Sequence, residues 1–264
     1  MTGPPSVGGP GPLALVGSGE FLPAMAEVDA ALLRGRVPKV AVIPTASAPE
    51  GDERVAYWLE LGRRHYGAMG VETVAVDVRR RSDADHGAVV DLLHGVGLVY
   101  LSGGDPHHLA ETLGGTRLWE AVLDAWRNGT ALAGCSAGAM ALTAGAPPWL
   151  GPGRRRAAVS DGQPNGLGPV DALAVIPHFD RIEHWRPGAV AGYLAWQPPG
   201  TTLLGIEEET ALVAEPGGGG PWQVVGRGSV WVLAPGERHR LAPGEELPAP
   251  SAPRNVADAS DVAT

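Results

Sequence analysis

Short apolar runs alternate with amphipathic stretches of helical length along this 264-residue chain. That alternation marks an α/β fold whose mostly parallel sheet carries helices on both faces. The runs are rich in Val, Leu, Ile and Ala and close on Gly, Pro, Ser or Thr, as buried parallel strands do. No sequence period of roughly 20–50 residues repeats, and no linker divides the body, so 13–240 reads as one domain.

In chain order, strands are expected at 13–17, 39–44, 71–78, 97–102, 131–135, 172–176 and 203–206. A later pair, 211–214 and 223–233, is separated by Gly217-Gly218-Gly219-Gly220 and reads as a small antiparallel appendage. Helices are expected at 24–33, 52–66, 84–94, 106–113, 118–127 and 137–143. In the second of these, Val55, Trp58, Leu59, Leu61 and Tyr66 recur at helical spacing while Glu60, Arg63 and Arg64 take the other face. Such a stripe faces the core. The segment 147–169, with the run Arg154-Arg155-Arg156, lacks periodicity and reads as a surface loop. The Gly- and Pro-rich stretch 1–12 reads as a flexible lead-in. The last stretch, 241–264, is rich in Pro, Ala, Ser and Asp and reads as a disordered tail, unable to bury enough surface to offset its ordering entropy.

Composition excludes several functions. Twenty Lys and Arg against 29 Asp and Glu give a net charge of −9, which argues against nucleic acid or an anionic membrane as partner. A single cysteine, Cys135, rules out an intrachain disulfide and a cysteine-built zinc site. No apolar run approaches the roughly 20 residues that span a bilayer. Residues 1–12 carry no basic flank and no apolar core of a secretory signal, so a cytoplasmic location is expected. Neither a Walker-type phosphate loop nor a G-x-G-x-x-G follows the first strand, and no histidine pair has zinc-ligand spacing. No cofactor or metal is therefore expected.

The chemistry concentrates where the strand 131–135 runs into Gly134-Cys135-Ser136-Ala137-Gly138-Ala139 and then a helix. G-x-S-x-G between strand and helix is the pattern of an elbow that lifts a nucleophile off a sheet. The plainer reading is a Gly-rich turn that packs a helix closely. A serine needs a base, and His178 stands at the end of the strand 172–176, at the sheet edge where Ser136 also emerges. The alternative there is a capping or core histidine. The strand 203–206 ends at Glu207, Glu208 and Glu209, any one of which could orient an imidazole, or which form a solvated acidic turn. Finally, Leu101-Ser102-Gly103-Gly104-Asp105 places paired glycines at a strand end, so the N–H of Gly104 with that of Ala137 could form an oxyanion hole.

Four ordered motifs, Ser102-Gly103-Gly104-Asp105, Gly134 to Ala139, Pro177-His178-Phe179 and Gly205-Ile206-Glu207-Glu208, resemble the serine peptidase family of cyanophycinase and aspartyl dipeptidase. The similarity runs from about 13 to 233 and includes Val16-Gly17-Ser18-Gly19-Glu20 and Ile43-Pro44-Thr45-Ala46-Ser47. It implies a class I glutamine amidotransferase-like fold, a flavodoxin-like three-layer sandwich. It also implies Ser136 as nucleophile, His178 as general base and then acid, Glu208 as the orienting acid, and Gly104 and Ala137 as oxyanion donors. Ile176-Pro177 stands where cyanophycinases carry Asp-Gln, and Arg181 and Arg186 are the arginines that follow; the Pro-His-Phe triplet is closer to the aspartyl dipeptidase pattern. Asp105, Arg181 and Arg186 are the candidate substrate-binding residues.

The function expected is a serine hydrolase that cleaves an amide bond of a small peptide or isopeptide through an acyl-enzyme on Ser136. One rival is a catalytically silent member that binds a small molecule or a partner. A second is a cysteine-dependent enzyme using Cys135. Trp185 and Trp196, near the proposed site, could line a pocket or a contact of a homodimer.

Overall fold

The computed structural model describes residues 9–148 and 165–250. The chain opens with β1 (Leu13–Val16), α1 (Ala26–Leu33), β2 (Lys39–Ile43), α2 (Asp52–Ala68) and β3 (Glu72–Ala75). It continues through α3 (Arg81–Ala84), α4 (Gly87–Asp91), β4 (Leu98–Leu101), α5 (Pro106–Leu113), α6 (Arg117–Arg127), β5 (Ala131–Cys135) and α7 (Ala137–Leu142). Then come β6 (Leu173–Ile176), α8 (Phe179–Trp185), α9 (Ala189–Trp196), β7 (Thr202–Ile206) and β8 (Thr210–Ala214). The last strands are β9 (Trp222–Gly226), β10 (Val230–Ala234), β11 (Glu237–Leu241) and β12 (Glu246–Leu247).

The larger sheet has eight strands in the order β12-β9-β8-β1-β5-β4-β2-β3. Its body is parallel, with β1 on β5, β5 on β4, β4 on β2 and β2 on β3, so the fold is the expected α/β class. Strict alternation of side chains divides its two faces. Leu13, Leu15, Ala41, Ile43, Val99, Leu101 and Leu132 enter a core shared with α5, α6 and α7. Their neighbours Ala14, Val16, Val40, Val42, Leu98, Tyr100, Ala133 and Cys135 enter a second core, under α1 and α2. The stripe on α2 is confirmed at its ends, where Val55 and Tyr66 are buried, while Glu60 pairs with Arg63 and Arg64 in solvent.

A second sheet, in the order β11-β10-β7-β6, takes the later strands. Leu173, Val175, Leu204 and Ile206 point to the first core, whereas Ala174, Ile176 and Leu203 pack with Ile182, Ala189, Val190 and Tyr193 of α8 and α9. The runs 172–176 and 203–206 therefore pair with each other rather than with the main sheet. The run 211–214 does the reverse, lying antiparallel on β1 as part of the main sheet rather than of an appendage. The run 223–233 is two strands, and its corner is Gly228, where a Cβ would meet Thr210 Oγ1 at 2.6 Å and Glu207 Oε2 at 2.7 Å. Local pattern identifies a strand; its partner is set by contacts distant in sequence, which is why these assignments escaped the sequence.

Other boundaries move for similar reasons. The expected helix 84–94 is two short pieces, because Asp85 turns out to accept the N–H of Arg117 at the start of α6 and His86 is extended. The lead-in is anchored before residue 13: Gly11 N donates to Trp126 O at 2.7 Å, and Trp126 Nε1 donates back to Gly11 O at 2.9 Å. At the other end, β12 pairs with β9 and both Leu241 and Leu247 are buried, so order extends beyond the expected start of the tail at 241. Residues 1–8, 149–164 and 251–264, which hold the rest of the lead-in, most of the loop 147–169 and the rest of the tail, lie outside the described residues. No helix among the described residues is long and apolar enough to cross a membrane.

The small β12 pairing makes a direct prediction. Leu247→Ala is expected to lower stability to urea by about 2 kcal/mol, the loss of one buried leucine side chain. A change below about 0.5 kcal/mol, the range of an ordinary surface substitution, would mean that 246–247 does not hold this edge.

Candidate active site

The site starts from a close approach of backbones. At the end of β5, Ser136 adopts φ 50° and ψ −107°, and α7 begins at the next residue. Such a conformation costs a non-glycine residue free energy and persists only where its surroundings enforce it. Here the two flanking glycines enforce it: a Cβ on Gly134 would lie 2.5 Å from the carbonyl carbon of Gly138, and one on Gly138 would lie 2.4 Å from Leu101 O. The helix thus lies against β4 and β5 more closely than any side chain permits. Ser136, half-buried, is raised from a run that is otherwise buried, and its N–H donates to Val16 O at 2.9 Å.

His178 and Glu208 arrive from the second sheet. β6 delivers His178, in the left-handed region at φ 50° and ψ 40°, and α8 follows. Gly205 on β7 leaves room for Phe179, whose ring would be 2.4 Å from a Cβ there. His178 Nδ1 lies 2.9 Å from Glu208 Oε1, and Nε2 lies 3.2 Å from Ser136 Oγ. A carboxylate only accepts, so Nδ1 carries the proton and the lone pair of Nε2 faces the hydroxyl.

The three glutamates have distinct neighbours. Glu207 accepts from Ser229 N at 2.8 Å and from Trp231 Nε1 at 2.8 Å, which turns it away from the histidine. Glu209, at φ 52°, pairs with Arg227 at 2.6 Å. Glu208 alone of the three meets His178, and its own N–H is held by Asp180 Oδ1 at 2.9 Å.

Gly104 follows β4 at φ 142°, where a Cβ would fall 2.3 Å from Ala46 O, so glycine is required. Among the described residues its N–H has no hydrogen-bond partner. Ala137 opens α7, where the first N–H groups have no acceptor within the helix. Asp105 acts locally, because its Oδ1 accepts from His107 N at 2.9 Å and His108 N at 3.1 Å and so caps α5. Arg181 Nε sits 3.2 Å from Asp180 Oδ2 and 3.7 Å from Glu208 Oε2. Arg186 is exposed just past α8, and among the described residues no hydrogen bond or ion pair joins its side chain to Ser136, His178 or Glu208.

Cys135 lies on the other face of β5. Its thiol is fully buried and donates to Glu20 Oε2 at 2.8 Å; burial first, then the Glu20 carboxylate, push its pKa well above the ordinary thiol range. It is neither exposed nor thiolate-forming, as a cysteine nucleophile must be. Other histidines are occupied: His65 with Asp29 Oδ2 at 2.7 Å, His107 Nε2 with Pro147 O at 3.0 Å, His108 Nε2 with Arg79 O at 2.9 Å. Among the described residues no cluster of three or more His, Cys, Asp or Glu is placed to hold a metal.

The sequence attaches no chemistry to Asp180 or Glu20, whereas it does single out Trp185 as a residue near the site. Asp180 anchors the acid turn. Trp185, 54% exposed, lies with its ring 5.3 Å from that of His178. Glu20 is buried beneath the elbow; the motif 16–20 is visible in the sequence but has no chemistry attached to it there.

A half-buried serine on a strand-to-helix elbow, faced by a histidine and a carboxylate, is the arrangement of α/β serine hydrolases. Residues 13–218 match peptidase family S51, and the chain belongs to that family. It is 32% identical over 181 residues to the cyanophycinases of Nostoc sp. (strain PCC 7120 / SAG 25.82 / UTEX 2576) and Trichormus variabilis (strain ATCC 29413 / PCC 7937). That match covers 66% of this chain and 57% of each relative, so the chain spans little more than half the length of these curated relatives. The crystal structure of a peptidase from an acI-B1 Actinobacterium is 38% identical, covers 92% of this chain and 98% of its own, and superposes with a TM-score of 0.80. A peptidase E-type structure from Listeria monocytogenes EGD-e, 19% identical with a TM-score of 0.59, covers 88% of this chain and 100% of its own and shares the fold.

Because α7 packs on bare backbone, Gly138→Ala is expected to cost about 1–3 kcal/mol in chemical denaturation, through overpacking that must push α7 outward. An unchanged midpoint would mean that the elbow has slack.

Proposed function

We propose that this protein is a cytoplasmic serine hydrolase that cleaves an amide bond of a small peptide or isopeptide through an acyl-enzyme on Ser136. The observation that supports it most is the pair of contacts at His178: Nε2 at 3.2 Å from Ser136 Oγ and Nδ1 at 2.9 Å from Glu208 Oε1. Family membership supports the same reading.

In this mechanism the Ser136 hydroxyl attacks the scissile carbonyl while its proton passes to His178 Nε2. Glu208 holds the imidazole by Nδ1 and stabilises the imidazolium. The negative oxygen of the tetrahedral intermediate takes the N–H groups of Gly104 and Ala137. Collapse breaks the C–N bond, and Nε2–H gives its proton to the departing amine. Water then attacks the acyl-serine, losing a proton to Nε2, and the second collapse releases the acid and restores the hydroxyl. Dipeptides, β-aspartyl dipeptides and cyanophycin are the substrates to try. Arg181 is the nearer of the two arginines to the His178–Glu208 pair, but it already faces the carboxylates of Asp180 and Glu208, with which a substrate carboxylate would have to compete.

Fluorophosphonate labelling of wild type, lost in Ser136→Ala, is the first expected result. Ser136→Ala and His178→Ala are each expected to lower turnover by about 10³-fold or more without a fall in melting temperature. A labelled Ser136→Ala protein would reject the nucleophile, and an unlabelled wild type that cleaves none of the panel would favour the silent binding module.

Glu208→Gln is expected to cost about 10²-fold in turnover, whereas Glu209→Gln stays within about fivefold, since only the former removes the negative charge that faces the imidazolium. The reverse ranking would move the acid to another residue. Cys135→Ser is expected to keep turnover within about threefold; abolition would return the nucleophile to the thiol.

A further inference from the structure

Glu20 takes no part in the hydrolytic steps, yet its side chain is buried beneath the elbow, 5% exposed. Its Oε1 accepts the N–H of Gly103 at 2.9 Å, and its Oε2 accepts the thiol of Cys135 at 2.8 Å. One side chain thereby ties the residue before Ser136 to the residue before Gly104. The packing is tight: a Cβ on Gly103 would sit 2.9 Å from Glu20 Oε1 and 3.5 Å from Ser136 Cβ.

The backbone that presents Glu20 is itself immobilised. Phe21, next in the chain, is held at φ 62° and buried. Its ring sits among those of Tyr100, Tyr66, His65 and Trp58, at centroid distances of 5.0, 5.8, 6.2 and 6.4 Å. Upstream, Val16 O accepts Ser136 N and Ser18 O accepts Glu209 N at 3.1 Å. The segment 16–21 therefore touches each of the three turns that carry Ser136, Gly104 and Glu208.

We infer that Glu20 is a positioning residue for the oxyanion site: by holding the Ser102–Gly103 peptide it aims the Gly104 N–H at the oxygen that forms over Ser136. The inference rests on the serine hydrolase reading of the site. The Gly103–Gly104 peptide is gripped from both sides, by Glu20 at Gly103 N and by Ala46 O, which accepts Asp105 N at 2.7 Å. Remove the Glu20 acceptor and the buried N–H of Gly103 has no partner; a two-glycine turn is free enough to rotate and find one. That rotation carries the Gly104 N–H off target. The loss falls on the transition state, where the oxyanion exists, and not on ground-state binding.

Length and charge can be separated. Gln has the reach of Glu and an oxygen to accept Gly103 N–H; Asp keeps the charge but is one methylene short of spanning both partners. The experiment compares wild type, Glu20→Gln, Glu20→Asp and Glu20→Ala in the full chain. It measures the rate of fluorophosphonate labelling, melting temperature, and kcat and KM on a dipeptide that wild type cleaves. Glu20→Gln is expected to remain within about threefold of wild type. Glu20→Asp and Glu20→Ala are expected to lose about 10- to 100-fold in kcat and in labelling rate, with KM within about twofold. If Glu20→Ala does not fold, the contrast between Gln and Asp decides. Labelling at the wild-type rate in Glu20→Asp, a loss confined to KM, or a loss in Glu20→Gln equal to that in Asp would overturn the inference. A wild type that neither labels nor cleaves overturns the hydrolase reading and this inference with it. A labelled wild type with indifferent Glu20 variants overturns this inference alone.

Discussion

The close approach of α7 to β4 and β5 is the constraint on which the rest of this site depends. It exists because Gly134 and Gly138 put backbone where other residues would put a Cβ, within 2.5 Å of main-chain atoms. The helix start is thereby pressed onto the sheet edge, and the residue between strand and helix is held at φ 50° and ψ −107°, a conformation that side-chain-bearing residues rarely adopt. A strained position of this kind costs about 1–3 kcal/mol, and the buried runs on both sides of Ser136 must supply it. Everything else converges on that fixed point. The glycine turn after β4 lies beside it, Val16 O holds its N–H, and the second sheet brings a histidine within hydrogen-bond reach.

Legibility in the sequence followed the range of the interaction. The parallel body of the main sheet and helices such as 52–66, 106–113 and 118–127 were readable because each depends on its own apolar periodicity and its own stops. The elbow was readable because strand, glycine spacing and helix are contiguous. Which glutamate faces His178 was not resolved by spacing, since Glu207, Glu208 and Glu209 are consecutive. Only partners far away in the chain, Ser229 and Trp231 for the first and Arg227 for the last, reveal which one remains for His178. Resemblance to a family had singled out Glu208 where local physics could not.

What stayed hidden was set by tertiary choice. Nothing local tells 203–206 to join one sheet and 211–214 the other, nor 222–226 to part from 230–234 at Gly228, where Thr210 and Glu207 leave no room for a Cβ. Likewise Glu20 looks like any loop glutamate until Gly103, 83 positions later, is found to donate to it. Asp105 shows two readings meeting in one side chain: a polar residue beside a glycine turn, expected to contact substrate, has an oxygen that caps α5. Capping and binding use the same side chains, and only geometry separates them.

β6 and β7 are hydrogen-bonded neighbours, with Ile176 opposite Gly205, and each runs directly into one member of the His178–Glu208 pair. His178 and Glu208 are therefore two teeth of one gear, whereas Ser136 belongs to another. The serine is tied to the main sheet through Val16 O, so the distance from the imidazole to the hydroxyl depends on how the two sheets pack. The gap between Ser136 and His178 is therefore set between sheets, whereas the contact between His178 and Glu208 is set largely within one.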